Sequence, residues 1–124
     1  MKFYVCAHCG NIITFAHNSG VPVMCCGEKM QEIVPGSVDA AVEKHLPVVE
    51  AKGSVVSVKV GSVEHPMTAE HYIEFIVIET SQGSQYKALQ PGEKPEAVFA
   101  LAEGEKMVAA YAYCNLHGLW KTEV

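Results

Sequence analysis

Four cysteines stand close together near one end of the chain. Cys6-Ala7-His8-Cys9 is followed, after fifteen residues, by the vicinal pair Cys25-Cys26. Two loops carrying four soft thiolates suit a tetrahedral all-sulfur site for zinc or iron. A lone C-x-x-C can also be a thiol redox pair, but that chemistry needs a βαβ setting, and none is visible around Cys6. Adjacent ligands such as Cys25 and Cys26 impose uneven angles at a metal, unlike the wider spacing of ordinary zinc ribbons. A structural zinc clip and a one-iron electron-transfer centre both remain open on these residues alone.

A second group is spread through the rest of the chain: His45, His65, His71, Cys114 and His117. A single histidine on a strand is usually just a satisfied polar residue. As a set these differ, because each sits at a strand end or turn. His45 precedes Leu46-Pro47, His65 precedes Pro66, and His71 precedes Tyr72, while Cys114 and His117 flank Asn115-Leu116. Strand ends of a β-sandwich gather at one pole. Four imidazoles and one thiolate are too many for structural zinc, which closes at four ligands. They suit square-pyramidal iron with a sixth position open, and a thiolate opposite that position pushes electron density through the metal. His8 and His17 fall outside the set, and Met67 reads as packing.

The elements that must position these residues are mostly strands. Residues 1–36 hold three short ones, at Phe3–Val5, Asn11–Phe15 and Gln31–Val34, closed by the turn Pro35-Gly36-Ser37. So small a segment cannot stabilise its own core and needs a metal staple. Residues 37–124 show strand patterns at His45–Ala51, Ser54–Val60, Tyr72–Thr80, Gln85–Leu89, Ala97–Ala102 and Lys106–Tyr113, with a helical turn over Asp39–Lys44. Val56, Val58 and Val60 alternate with Ser57 and Lys59, the mark of a half-buried strand. The fold class expected is mainly β: a small domain stapled by four cysteines, 1–36, then an antiparallel β-sandwich, 37–124.

Composition narrows the function. The chain has 124 residues and a net charge of −5, and all nine basic residues are lysine. An acidic chain without arginine is a poor partner for nucleic acid or an anionic membrane. No apolar run reaches the length of a membrane span, and Met1-Lys2-Phe3-Tyr4-Val5-Cys6 does not read as a signal peptide. A cytoplasmic location is expected, where cysteines serve as ligands or reactive thiols rather than disulfides.

Beyond these arguments, the sequence resembles a known family. Cys6–Cys26 is similar to the desulforedoxin motif. Glu43-Lys44-His45-Leu46-Pro47-Val48, His65-Pro66-Met67, His71-Tyr72-Ile73 and Cys114-Asn115-Leu116-His117-Gly118-Leu119-Trp120 resemble desulfoferrodoxin, the two-iron superoxide reductase family, in the family's own order. The resemblance implies an Fe(Cys)4 centre and an Fe(His)4(Cys) centre in an immunoglobulin-like domain. It also implies a homodimer, a rubredoxin-type electron donor, and one-electron reduction of superoxide to hydrogen peroxide. Zinc can replace iron at the four-cysteine site in recombinant material. Phe75 stands where many relatives carry tryptophan, a packing position.

On that reading Lys44 and Glu43 are the catalytic candidates. A chain of net charge −5 repels superoxide, so a cation beside the open position must focus the field. Lys44 also organises a water that delivers protons. Glu43, on the same loop, can occupy the sixth position of the ferric state. Backbone N–H groups of Asn115 or Leu116 are expected to reach the Cys114 thiolate, tuning its potential. The competing classes are a blue-copper electron carrier built on Cys114-x2-His117 and a metal-stabilised binding module. The first lacks a methionine after His117 and leaves two histidines unused.

Overall fold

The structure is a computed structural model covering residues 1–124, and it divides into two compact units, Met1–Val34 and Pro35–Val124. The first unit contains β1 (Phe3–Val5), β2 (Ile12–Thr14), β3 (Met24–Cys25), β4 (Glu28–Lys29) and β5 (Gln31–Ile33). β1 pairs antiparallel with β2 on one side and β5 on the other, while β3 and β4 form a separate hairpin. Its buried apolar residues are only Phe3, Cys6 and Met30. With so little core, the segment depends on whatever joins its cysteines.

The hairpin β3–β4 explains the vicinal cysteines. Cys25 pairs with Glu28, so Cys26 and Gly27 are the two turn residues. Both have positive φ, 52° and 76°. Two consecutive left-handed residues define a type I′ turn, whose twist matches the strands it joins. Cys26 is the one non-glycine residue with positive φ in the chain.

The second unit holds α1 (Val42–His45), β6 (Pro47–Lys52), β7 (Val55–Val60), β8 (Ile73–Thr80), β9 (Gly83–Ala88), β10 (Glu96–Ala100), β11 (Met107–Cys114) and β12 (Gly118–Glu123). One sheet has the order β10-β7-β6 and the other β12-β11-β8-β9, with antiparallel neighbours throughout. Seven strands in a three-plus-four sandwich are the expected class. Val56, Val58 and Val60 face Ile73, Ile76, Ile78, Ala110, Ala112 and Cys114 across the core, with Phe99, Ala97 and Leu89 closing it. Burying one such aliphatic side chain is worth about 1.5–3 kcal/mol, so this unit has a core of its own.

Several local expectations shift. The helical turn lies at Val42–His45 instead of Asp39–Lys44, so His45 ends a helix and the strand begins at Pro47. Pro47 has no N–H to extend the helix, and the residue before it is driven to extended backbone, as Leu46 is at φ −67°, ψ 126°. The strand pattern expected from the sequence ends at Tyr113, yet a final strand, Gly118–Glu123, pairs with β11.

A β-bulge aims the pole of the sandwich. Tyr113 pairs with Phe75, but Cys114 pairs with Ile73, so Glu74 has no opposite residue. The extra residue flips the facing of β8: Ile76 and Ile78 point into the core, and so does Ile73. Phe75 is left on the other face, stacked on Tyr113 with ring centroids 5.4 Å apart.

Candidate metal centres

In the first unit the sulfurs of Cys6, Cys9, Cys25 and Cys26 all lie within 4.8 Å of one another, and none is in a disulfide. Cys9 Sγ and Cys25 Sγ are 3.6 Å apart. Four thiolates about 2.3 Å from one tetrahedral ion stand about 3.8 Å from each other, so the spacing fits a metal. The Cys6 loop is tied by Cys6 N–H to Asn11 O (2.9 Å) and Gly10 N–H to Cys6 O (3.0 Å).

The loop also presents donors to sulfur. Cys9 N–H approaches Cys6 Sγ at 3.5 Å, and Asn11 Nδ2 donates to Cys25 Sγ at 3.8 Å. Backbone N–H groups of Cys9 and His8 hold the Cys6 thiol down to about 6. Cys26 is pushed up to about 12 by its hydrogen bonds with Cys6, Cys9 and Cys25, and Cys25 is raised by the first two of these. One thiolate forms readily; each further negative charge builds against it, and a bound cation is what relieves the four. Asn11 escapes a reading of the sequence, since one asparagine after a knuckle glycine carries no distinctive spacing.

In the second unit, ligand atoms of His45, His65, His71 and Cys114 lie within 4.8 Å of one another. His117 joins them through Nδ1, 3.2 Å from His45 Nε2 and 3.9 Å from Cys114 Sγ. The imidazoles form a closed ring. Neighbouring centroids are separated by 4.7 Å (His45–His65), 4.6 Å (His65–His71), 5.1 Å (His71–His117) and 5.0 Å (His117–His45). Each neighbouring pair is near perpendicular, at 76° to 87°. The His45–His71 diagonal is longer, 6.4 Å, with the planes only 32° apart. A tetrahedral set would make all separations equal. This one is a square.

Proton accounting says what the square holds. His45 donates its Nδ1–H to Ala41 O and His65 donates its Nδ1–H to Pro66 O, each at 2.7 Å. Each bond fixes a tautomer with a lone pair on Nε2. Yet His45 Nε2 and His65 Nε2 face each other at 3.2 Å, and His117 Nδ1 faces the same His45 atom. His71 Nε2 is buried with no partner at all. Lone pairs converging with a thiolate are tolerable only around a cation, and nitrogens about 2.1 Å from one ion sit about 3.0–3.4 Å apart. The donor set fits a metal.

Burial keeps the rings neutral, as ligation requires: it drives His65 down to about 4 and lowers His45 and His71 as well. It also raises Cys114, against which the backbone N–H groups of Leu116 and His117 act. Leu116 therefore does what the sequence suggested; Asn115 does not, because its N–H goes to Tyr72 O at 3.2 Å. Gly118, at φ 78°, closes the three-residue loop between Cys114 and its strand partner, and so turns both Cys114 and His117 inward.

One side of the square is backed by Trp120. Its ring stacks on His45 at 5.0 Å, and its Nε1–H donates to His117 O at 3.0 Å. His45, His65 and Cys114 are buried, His71 and His117 half-buried, and Glu43 and Lys44 exposed beside them. The Lys44 ammonium depresses both His45 and His71, so its charge is felt across the ring, while Glu43 acts oppositely on His45. Met67 is no ligand: its sulfur accepts Ile73 N–H at 3.3 Å. With four histidines in the ring and that sulfur engaged, the blue-copper arrangement of two histidines and an axial methionine does not describe this centre. His8 pairs instead with Glu28, at 3.0 Å.

Comparison with known proteins covers both units of the chain. The family model described as Desulfoferrodoxin matches residues 37–123. A desulfoferrodoxin from Nitratidesulfovibrio vulgaris is 46% identical over 122 residues, covering 98% of this chain and 95% of that one. A desulfoferrodoxin homolog from Archaeoglobus fulgidus is 43% identical, covering 98% and 96%. The crystal structure of the superoxide reductase from Treponema pallidum superposes with a TM-score of 0.84 at 42% identity over 98% of each chain. With the family model spanning the sandwich and these relatives spanning both units, the chain belongs to the desulfoferrodoxin family.

Proposed function

We propose that this chain is a superoxide reductase, an oxidoreductase that converts superoxide to hydrogen peroxide with one electron and two protons. The observation that carries the reading is the square of four neutral imidazoles with one buried thiolate: five donors, a form suited to an ion that keeps a sixth position. His45, His65, His71, His117 and Cys114 are its ligands. Iron held by these residues would supply the electron. Cys6, Cys9, Cys25 and Cys26 hold a second iron, replaceable by zinc in recombinant protein. The domains are 1–36 and 37–124.

The chain's own residues do the rest. Lys44 draws the superoxide anion against a net charge of −5, focusing the local field where global repulsion would slow encounter. Its ammonium also holds the water that passes protons to the product. Glu43, exposed beside His45, would offer its carboxylate to the oxidised ion once the product has left, which would protect that state. Leu116 and His117 N–H groups stabilise charge on Cys114 and set how strongly it donates. Solvent reaches the ring on the His71 and His117 side, so protons are at hand there. The electron comes from a small rubredoxin-type carrier, and the chain acts as a homodimer in the cytoplasm. No helix is long and apolar enough to cross a membrane.

Stoichiometry tests the reading. Iron-loaded, pre-reduced protein exposed to a superoxide pulse should yield one hydrogen peroxide per superoxide consumed, with no oxygen released. Oxygen release at half the superoxide consumed would mean dismutation, and no reaction of the ferrous protein would overturn the assignment.

A further inference from the structure

We propose that Asn115 is the positioning residue for His71, an imidazole of the square whose buried ring nitrogen has no hydrogen-bond partner and whose ring no backbone carbonyl anchors. The proposal rests on His71 being a ligand.

His45 and His65 are each tied at Nδ1 to a backbone carbonyl at 2.7 Å. His71 has no such tie, and its buried Nε2 has no partner. Its place is therefore set through its backbone. Within its own turn, Thr68 N–H donates to His71 O at 3.0 Å, and His71 N–H donates to Thr68 Oγ1 at 3.1 Å. Those bonds shape the turn without attaching it to anything else.

The attachment is Asn115. Its Nδ2 donates to Glu70 O at 2.9 Å, its Oδ1 accepts Tyr72 N–H at 2.9 Å, and its own N–H donates to Tyr72 O at 3.2 Å. The residues on both sides of His71 are thus gripped by one side chain. The partners dictate the amide's orientation, because an N–H only donates and a carbonyl only accepts. They also dictate the residue type. Asparagine sets a donor and an acceptor on one short planar group; aspartate would turn an oxygen toward the Glu70 carbonyl, and alanine offers neither. Asn115 lies between Cys114 and His117, so this grip fixes the His71 turn directly against the loop carrying two other donors.

The test uses the full chain with Co2+ in place of iron. Hyperfine-shifted carbon-bound ring protons report each ligated imidazole, and competition titration gives affinity at the five-donor site. His71→Ala identifies the His71 signals. Asn115→Ala should weaken Co2+ binding at this site about 10- to 100-fold, the range seen when a ligand's supporting partner is removed. It should shift or erase the His71 signals, leave those of His45 and His65, and leave the four-cysteine site unchanged. Asn115→Asp, which keeps the acceptor, should fall between and serves if the alanine variant does not fold. In a His71→Ala background, Asn115→Ala should cost less than about twofold, since the residue acts through His71.

Unchanged His71 signals and affinity in both variants would overturn the proposal. So would an equal loss with and without His71, which would mean general support of the fold. If His71→Ala leaves wild-type affinity intact, the ligand assignment itself fails, and this inference fails with it.

Discussion

Replacing Gly61 with alanine should loosen the segment that carries the two catalytic candidates. A Cβ at Gly61 would lie 2.4 Å from Glu43 O, 2.7 Å from Lys44 C and 3.0 Å from Lys44 Cα, all of them backbone. No flexible side-chain end is there to yield. Ordinary contact begins at 3.4 Å, so the carbonyl must retreat by 1.0 Å. That same carbonyl accepts Val63 N–H at 2.9 Å and Ser62 Oγ–H at 3.2 Å, and both bonds stretch as it moves. Overpacking costs about 1–3 kcal/mol, and each hydrogen bond about 0.5–1.5 kcal/mol. Water can replace the exposed serine's contribution, so the net loss should be about 2–4 kcal/mol.

Trp120, the single tryptophan, is buried in the sandwich and reports its unfolding by fluorescence. In urea, with a slope near 2 kcal/mol/M, metal-free Gly61→Ala should unfold at a midpoint about 1–2 M below wild type. A shift under about 0.3 M would show that the backbone parts without cost, and the close approach would then have no hold on Glu43 and Lys44.

Lys44→Ala should slow the second-order reaction of ferrous protein with superoxide about tenfold or more and remove most of its salt dependence, measured by pulse radiolysis; an unchanged rate and salt slope would end the steering role. Glu43→Ala should leave that rate nearly unchanged while shifting the absorption spectrum of the oxidised protein. Cys9→Ser with Cys26→Ser should remove one metal per chain by elemental analysis and keep the other; loss of both would sink the two-site assignment. Glu105 accepts the Thr80 hydroxyl and Ala102 N–H, which hold its carboxyl below the usual 4.5. The unfolded chain therefore binds the proton more tightly, so this contribution is present above about pH 4.5 and is lost as the pH falls through the folded value. Urea midpoints of wild type and Glu105→Gln should accordingly differ most near pH 7 and converge in acid.

The residues of both clusters were legible in the sequence because thiols and imidazoles at turns have few other uses in so small a chain. The valine alternation of β7 was legible for a similar reason: one face of a strand must be apolar. What escaped is set by geometry that side-chain type does not encode. The bulge at Glu74 aligns Ile73 with Cys114, yet Tyr72-Ile73-Glu74-Phe75 reads as a plain strand. The two-residue strands of β3–β4 are too short for any periodicity, although Cys26-Gly27 occupies a turn that asparagine-glycine would have announced. β12 shows no apolar alternation over Lys121-Thr122-Glu123, and its place is fixed instead by Thr122 Oγ1, which donates to Pro47 O at 2.6 Å and joins the two sheets at their edges. Of the two amides expected to reach the thiolate, Leu116 does and Asn115 turns to Tyr72 O, because nearness in sequence says nothing of which way an amide points.

The distances in sequence between donors carry a consequence for how the protein is made. Cys6 and Cys26 are separated by 19 intervening residues, whereas His45 and His117 lie 72 positions apart. Closing a longer loop costs little more free energy but takes longer, because its closure entropy must be met before the non-local contact offsets it. Synthesis runs from the amino end, so the thiolate loops can meet while the later strands are still unmade. The histidine square cannot exist before the β11–β12 hairpin, which carries Cys114 and His117, has docked. An ion met early would find only the four thiolates, and the five-donor pole would be complete only once the sandwich around it is finished.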